Sequence, residues 1–428
     1  MADYDAIVVG AGLAGSTAAY CMAKAGMSVL LLERGNVAGN KNMTGGRLYA
    51  HSLERLIPKF AQSAPVERKV VRERICMMTG QSAFSMDFDS SRLGADASAS
   101  YTILRAGFDA WFAGLAEEAG CDVIAPARVD DLLRDDRGQF VGVRAGGDEL
   151  TGDVIILADG VNSLLAQRVG LKKELTPHQV AVGAKELIEL PQGIIEDRFN
   201  LNPGEGAACL FVGFPTGGMA GGGFLYTNKE SLSLGLVVGL ADLPRFSARV
   251  PDLLEQFKNQ PQIARLMAGG RTAEYSAHLV PEAGLGMIPD LTAPGLMVAG
   301  DAAGFCMNLG YTVRGMDLAI TSGELSAQTA IQAKAKGNFS KEALDDYKQR
   351  LEGSFIIQDL NTFKNSPGFI EQSTNVYKHY PGQLEKLMLD VFTVAGPSRK
   401  MSQKLQSFLS LVGVVNLLKD GWRAWRSI

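Results

Sequence analysis

Three glycines near the start of the chain, followed by one carboxylate, have the spacing of a phosphate-binding turn. Gly10, Gly12 and Gly15 form a Gly-x-Gly-x-x-Gly pattern, and Glu33 follows 18 residues after the last of them. The first glycine allows a tight turn, the second lets a pyrophosphate approach the backbone, and the third lets a helix pack on a strand. A carboxylate about 20 residues further on hydrogen-bonds the ribose in such sites. These residues predict a site for the ADP half of a dinucleotide.

The elements that must position these glycines lie on either side of them. Residues 4–9 have the composition of a buried strand, residues 13–24 that of a helix, and residues 28–32 that of a second strand. In such a βαβ unit the pyrophosphate lies at the helix N-terminus, where unpaired N–H groups favour negative charge. The residues expected to contact the dinucleotide are Val9, Gly10, Gly12, Leu13, Ala14, Gly15, Glu33 and Arg34. The unit alone leaves NAD and FAD both open.

Two further apolar strands end in an aspartate beside a glycine. Residues 155–158 lead into Asp159-Gly160, and residues 296–299 lead into Gly300-Asp301. Ligands bind at the carboxyl ends of strands in open α/β sheets. An aspartate there can accept hydrogen bonds from the ribityl hydroxyls of FAD, and NAD has no hydroxyls in that place. The combination predicts FAD, although Asp159 taken alone has the alternative role of a helix cap.

The three motifs, in this order, resemble the glutathione-reductase-type FAD-binding fold in its aromatic-hydroxylase branch. The resemblance implies that Asp301 binds a ribityl oxygen, that Asp159-Gly160 lies near the pyrophosphate, and that Val129 offers backbone atoms to the adenine. It also implies that Arg105 reaches the phosphate and ribityl region, against the alternative of a surface ion pair.

The predicted fold class is α/β, with a Rossmann-like FAD-binding fold, an inserted and mainly antiparallel β-sheet domain, and a helical C-terminal region. The predicted boundaries are residues 1–65, 101–170 and 280–336 for a discontinuous FAD-binding domain, 66–100 and 171–279 for the inserted substrate- or quinone-type domain, and 337–428 for the helical region.

Four longer segments narrow the resemblance to one family. Residues 41–49, 181–188, 221–228 and 310–319 are similar to the FixC family, relatives of electron-transfer-flavoprotein:quinone oxidoreductase that lack the C-terminal iron–sulfur domain. The resemblance implies an FAD-dependent oxidoreductase that accepts electrons from a two-subunit electron-transfer flavoprotein. It would pass them towards quinone or a small ferredoxin-like iron–sulfur partner.

Two glycine-rich loops are expected to surround the flavin ring. Backbone N–H groups of the first loop would hydrogen-bond the ring, and the N-terminus of a helix in the second would stabilise negative charge on the reduced ring. The candidate residues are Lys41, Thr44, Gly45, Gly46, Arg47, Gly310, Gly315 and Met316. No side chain is predicted to be catalytic, because the flavin itself carries the chemistry.

Composition and charge exclude several classes of function. The 428 residues carry a net charge of −4, which gives no general attraction to nucleic acid. The five cysteines are scattered without a Cys-x-x-Cys pair, so a ferredoxin-type [4Fe–4S] site is not expected, and the four histidines show no metal-ligand spacing. The N-terminus lacks the features of a secretory signal, and we therefore expect a cytoplasmic protein.

The last residues of the chain leave open whether the protein binds to a membrane surface. Residues 405–428 place apolar side chains, including Trp422 and Trp425, on one helical stripe, and residues 399–428 have a net charge of +5. A basic amphipathic helix with tryptophan is typical of an interfacial anchor, here on the inner face of the cell membrane. The alternatives are a helix packed on the core and a docking surface for a partner.

Two other functions are weighed against electron transfer. A flavin-dependent reductase or hydroxylase of a hydrophobic small molecule, as in geranylgeranyl reductases, shares the Gly-Asp-Ala-Ala-Gly string and the motif around Arg105. Residues 305–310, however, depart from the proline and Gly-x-Gly that usually follow in those enzymes. A non-enzymatic FAD-bound scaffold subunit is the third alternative.

Overall fold

The structure is a computed structural model that describes residues 2–40, 46–95, 98–246 and 249–428. Its strands are β1 (Tyr4–Val9), β2 (Val29–Leu32), β3 (Gly46–Tyr49), β4 (Val66–Met78), β5 (Ala83–Asp89), β6 (Ser100–Ile103), β7 (Asp122–Ile124), β8 (Val129–Arg134), β9 (Phe140–Ala145), β10 (Asp148–Leu157), β11 (Val180–Glu189), β12 (Glu205–Gly213), β13 (Gly221–Thr227), β14 (Ser231–Gly239), β15 (Arg271–Pro281), β16 (Thr292–Ala293), β17 (Leu296–Val298), β18 (Met307–Asn308) and β19 (Val313–Arg314). Its helices are α1 (Leu13–Lys24), α2 (His51–Leu56), α3 (Arg105–Glu118), α4 (Leu164–Arg168), α5 (Gln192–Phe199), α6 (Leu243–Phe246), α7 (Val250–Asn259), α8 (Pro261–Met267), α9 (Met316–Lys336), α10 (Lys341–Leu344), α11 (Asp346–Glu352), α12 (Phe355–Thr362), α13 (Ser366–Gln372), α14 (Thr374–Lys378), α15 (Tyr380–Phe392), α16 (Met401–Val412) and α17 (Val414–Ser427).

Buried parallel strands form the centre of the first sheet, whose strand order is β16-β17-β10-β1-β2-β7. β1 pairs in parallel with β2 and β10, and β10 pairs in parallel with β17. The ends of these strands at the centre of the sheet are apolar and buried, because helices cover parallel sheets, and α1 packs on both α3 and α9. Close packing of α1 on α9 depends on Gly323, where a Cβ would lie 2.2 Å from the carbonyl oxygen of Ala14. The predicted α/β class is confirmed.

The second sheet is mainly antiparallel and has the strand order β15-β11-β14-β13-β12-β4-β6-β3, with β5 paired to β4. Its one recorded parallel pair among the described residues joins β12 to β4. Leucine side chains of β14 alternate with small residues and pack under α7, which makes a separate hydrophobic core on this side of the molecule. The division of the chain into domains stays a prediction.

The C-terminal region is helical, as predicted, but the apolar stripe of residues 405–428 is divided between two helices. Gly413, with φ of +79°, ends α16 and precedes α17. The polar side of α17 faces the protein, since Asp420 accepts hydrogen bonds from Asn375 Nδ2 at 2.8 Å and from Tyr380 Oη at 2.5 Å. Its apolar side chains lie on the opposite side, and Trp425 is 82% exposed. The alternative of a helix that buries this stripe in the core is therefore wrong.

Every helix within the described ranges is too short or too polar to span a bilayer.

Candidate functional site

The carboxyl ends of three parallel strands meet at one edge of the first sheet. Val9 of β1 is in register with Leu157 of β10, and Leu157 is in register with Val298 of β17. The Gly10 turn, the Asp159 turn and the Asp301 turn follow these strand ends directly. The structure thus brings together three motifs that are about 150 residues apart in the sequence.

The glycine turn after β1 has one closed side and one open side. At Gly10, φ is +101° and a Cβ would lie 2.5 Å from the carbonyl oxygen of Ala158; at Gly15 it would lie 1.9 Å from the carbonyl oxygen of Gly10. At Gly12 the nearest atom to such a Cβ is Arg105 Nη2, 4.0 Å away. The N-terminus of α1 has no side-chain cap, so its first N–H groups are directed at this open side. This is a cradle for an anion.

Glu33 follows directly after β2 and links the end of this strand to the glycine turn through hydrogen bonds. Its Oε2 accepts the N–H of Ala11 at 3.0 Å, and its Oε1 accepts the N–H of Gly35 at 2.6 Å. Each carboxylate oxygen can accept a second hydrogen bond. The buried side chain is therefore held in place and still has acceptor capacity for a ligand hydroxyl.

A cavity of about 810 Å³ runs along this edge and continues between the two sheets. Most of the predicted cofactor residues line it: Val9, Gly10, Gly12, Leu13, Ala14, Glu33, Arg34, Gly46, Arg47, Arg105, Val129, Asp159, Gly160, Asp301, Gly310, Gly315 and Met316. Gly15 and Gly300 lie behind the wall, where Gly15 packs on the turn and Gly300 donates its N–H to Ser322 Oγ at 2.9 Å. Lys41, Thr44 and Gly45 fall outside the described residues.

A lysine that the sequence analysis missed lies between the two aspartate turns. Lys172 Nζ donates to the carbonyl oxygens of Val161 and Ala302, both at 3.0 Å. Burial lowers the pKa of Lys172, and the nearby carboxylates of Asp159 and Asp301 oppose that effect. No sequence pattern marks this residue, because its role depends on two turns from distant parts of the chain.

Both aspartates are in low-dielectric surroundings. Burial raises the pKa of Asp159 to about 6 and also raises the pKa of Asp301, against the opposing charges of Arg105 and Lys172. Asp159 Oδ1 is buried and has no hydrogen-bond partner within the described part of the chain. A buried acceptor on the cavity wall without a partner fits a site that a polar ligand completes.

Arg105 is the first residue of α3 and reaches the glycine turn. Its guanidinium forms a two-point ion pair with buried Asp109, from Nε to Oδ1 and from Nη2 to Oδ2, both at 2.7 Å. Arg105 thus forms an ion pair and also lines the cavity, but the ion pair is not the surface pair of the alternative, because Asp109, one turn along the same helix, is buried.

The opposite end of the cavity is formed by the second sheet and the start of α9. Arg47 lies over the ring of Tyr49 at 4.6 Å, forms an ion pair with Glu73, and donates to Ser100 Oγ at 3.0 Å. Gly315 and Met316 begin α9 at this end.

Arg314 forms ion pairs with two carboxylates beside the start of α9. It donates to Asp317 Oδ2 at 2.8 Å and to Asp359 Oδ2 at 2.6 Å, and Asp317 Oδ2 also lies 3.0 Å from His51 Nε2. Burial favours protonation of Asp317, but His51 and Arg314 outweigh it and lower the pKa of that carboxyl. This network fixes the N-terminus of α9.

Comparison with known proteins identifies the family. The chain is 51% identical to Protein FixC of Escherichia coli O157:H7 over 421 residues, which cover 98% of each protein. The chain belongs to the FixC family. A model described as the ETF-QO/FixC family C-terminal domain matches residues 366–428, and one described as FAD dependent oxidoreductase matches residues 5–95.

Other relatives agree with this family. The chain is 50% identical to the probable electron transfer flavoprotein-quinone oxidoreductase YdiS of E. coli K12, over 98% of this chain and 97% of that protein. A geranylgeranyl bacteriochlorophyll reductase-like structure from Thermoplasma acidophilum has the same fold, with a TM-score of 0.71 at 22% identity over 97% of this chain and 98% of that one. The FixC-family chain is an FAD-dependent oxidoreductase, and the prediction of FAD as cofactor is confirmed.

Proposed function

We propose that this protein accepts electrons from a two-subunit electron-transfer flavoprotein and passes them towards quinone or a small ferredoxin-like iron–sulfur protein. The observation that carries the proposal is the similarity along the full length of a probable electron transfer flavoprotein-quinone oxidoreductase. It is supported by a cavity lined mostly by backbone, glycine and apolar side chains at the end formed by the second sheet. Bound FAD supplies the capacity to take up electrons from one partner and release them to another.

In this proposal the N-terminus of α1 would hold the phosphates of FAD, and Arg105 would neutralise their charge. Asp301 would accept hydrogen bonds from the ribityl chain, and Glu33 would accept them from the ribose. The remaining predicted contacts are Val129 at the adenine and, around the ring, Gly46, Arg47, Gly310, Gly315 and Met316, with Lys41, Thr44 and Gly45 from the segment outside the described residues. No side chain is required to act as an acid or base in the electron transfer itself.

Reduction by competing donors tests the function. The purified yellow protein is mixed anaerobically with a reduced electron-transfer flavoprotein or with NADH or NADPH, and the loss of flavin absorbance is followed. We expect fast reduction by the flavoprotein and slow reduction by either nicotinamide. The reverse order would favour the second candidate, a geranylgeranyl-reductase-like enzyme, for which the shared fold with the Thermoplasma structure is the supporting observation.

The acceptor side involves a membrane surface in this proposal. Apolar side chains are exposed on adjacent elements, with Met86 of β5 62% exposed, Phe392 of α15 79%, and Leu418 of α17 68%. β5 contacts α15, which contacts α16, and α16 contacts α17, so the elements that carry these side chains adjoin one another. Basic residues on the last helices would attract anionic lipid on the inner face of the membrane. A quinone dissolved in that lipid would then reach the protein directly.

Replacing two tryptophans tests the membrane surface. In a Trp422→Ser, Trp425→Ser variant we expect about 3 kcal/mol less apolar stabilisation, which corresponds to ~100-fold weaker binding to anionic liposomes in a flotation assay. Tyr275→Ser is the matched control, because Tyr275 is 47% exposed on β15 away from the last helices. Equal flotation of both variants and the parent would contradict the proposed surface.

A further inference from the structure

One carboxylate in the cavity has no part in holding the cofactor as described above. Glu282 follows directly after β15, lines the cavity, and is fixed at its backbone by an N–H to carbonyl hydrogen bond with Gln179 at 2.9 Å. Both carboxylate oxygens lie near the side-chain amide of Asn308, with Nδ2 at 3.2 Å from Oε2 and 3.4 Å from Oε1. This amide is the hydrogen-bond partner that the described residues provide for the carboxylate.

The amide of Asn308 cannot turn the other way. Its Oδ1 accepts the N–H of Gly310 at 2.9 Å, and its backbone oxygen accepts from Ser366 Oγ at 2.5 Å. The Nδ2 donor is thus held towards Glu282 on one side, while the other side of the amide holds the turn at Gly310. Gly310 also lines the cavity, so the carboxylate is coupled through one side chain to a loop predicted to contact the flavin ring.

The electrostatic surroundings of Glu282 suit a group that changes its charge. Burial raises the pKa of Glu282 to about 7, and the Asn308 amide only partly opposes this. The neighbouring titratable groups are the Cys306 thiol and the Tyr377 hydroxyl, whose pKa values burial raises well above neutrality, so both stay protonated. Asp301 lies beyond Cys306 and is assigned to the ribityl chain. Glu282 is therefore the member of this group that gains or loses a proton near neutral pH.

We propose that Glu282 is a catalytic proton donor of this cavity, which delivers one proton to the quinone and regains it from solvent. The step rests on the proposed function, because the electrons come from the electron-transfer flavoprotein and the acceptor is a quinone. Two electrons and two protons convert the quinone to the quinol: one proton leaves the Glu282 carboxyl, and the other comes from water. The carboxylate left behind is stabilised by Asn308 Nδ2 until it is protonated again.

The test uses Glu282→Gln, with Glu352→Gln on the exposed side of α11 as the matched control. The first readout is quinone reduction by the full protein between pH 5.5 and 8.5, with reduced electron-transfer flavoprotein as donor. In the parent protein the rate should fall as the pH rises above about 7, because the carboxyl is protonated only below its pKa. Glu282→Gln should be about 100-fold slower, the usual worth of a general acid, and should lose this pH dependence. Glu282→Asp should regain part of both.

A second readout does not depend on the acceptor. Infrared difference spectra of the protein, pH 5.5 minus pH 8.5, should contain the carbonyl band of a carboxyl that loses its proton near pH 7 in the parent and in Glu352→Gln but not in Glu282→Gln. An identical band in all three proteins, or an unchanged pH profile in Glu282→Gln with normal FAD content, would overturn the proposal. If the parent shows the band and reduces no quinone, the acceptor in the proposed function is wrong and the proton exchange at Glu282 stands.

Discussion

An Asp301→Ala variant should be isolated with most of its FAD missing. Asp301 lies at the end of β17, lines the cavity, and provides a carboxylate at the place predicted for the ribityl hydroxyls. Hydrogen bonds to a charged group contribute about 1.5–3 kcal/mol each, so loss of one should weaken FAD binding by about 10- to 100-fold, and loss of two by more. The measurement is the FAD to protein ratio after gel filtration, followed by titration of the apoprotein with FAD.

Two variants make this result specific. Asp301→Asn keeps one acceptor oxygen and should lose less affinity than Asp301→Ala. Asp290→Ala removes an exposed carboxylate from the loop before β16, the strand that pairs with β17, and should keep full FAD content. Thermal unfolding of the apoprotein should change little in Asp301→Ala, because the substitution removes a buried charge whose pKa burial already raises. Full retention of FAD would mean that the motif at Gly300-Asp301 has been misread.

A Gly15→Ala variant should lose both stability and cofactor. The new Cβ would lie 1.9 Å from the carbonyl oxygen of Gly10 and 3.3 Å from the Cβ of Ala158, so α1 would have to move away from the sheet. Overpacking of this kind costs about 1–3 kcal/mol of unfolding free energy, and it displaces the backbone that would hold the pyrophosphate. Chemical denaturation of the apoprotein and FAD titration measure the two losses separately.

The control for this variant is another glycine within a helix. Gly114 lies in α3, and a Cβ there would meet no atom within 4 Å. Gly114→Ala should be neutral or stabilise the protein by about 0.5–1 kcal/mol, because alanine loses less conformational freedom in a helix. If both substitutions had the same small effect, the close contact between α1 and the Gly10 turn would not exist in solution.

Much of the fold was predictable because the relevant information is local. The βαβ unit around residues 13–24 was predicted from the period of its apolar residues. Helix α1 has the predicted bounds. A mainly antiparallel sheet was predicted within residues 171–279, and β12 and β13 belong to it. The N-terminus of a helix was expected in the second glycine-rich loop, and α9 begins there at Met316.

The partners of side chains were not predictable in the same way. Lys172, Asn308 and Glu282 belong to no motif, and their neighbours come from turns and strands more than 10 residues away in the chain. Arg314 is next to the predicted residue Gly315, yet its ion pairs with Asp317 and with Asp359 from α12 depend on helix packing. Which distant residues contact each other depends on sheet register and helix packing. Neither of these can be read from a single sequence.

The sequence by itself predicted FAD, since glycines at fixed spacings and aspartates at strand ends express backbone requirements that are local. It indicated the family through the resemblance of four longer segments. The tertiary structure alone decided which of these residues face one cavity, because the register of β1, β10 and β17 aligns their ends. It also decided the orientation of α17. The amphipathic pattern of that helix is the same whichever side faces the protein, and the hydrogen bonds of Asp420 turn its tryptophans outward.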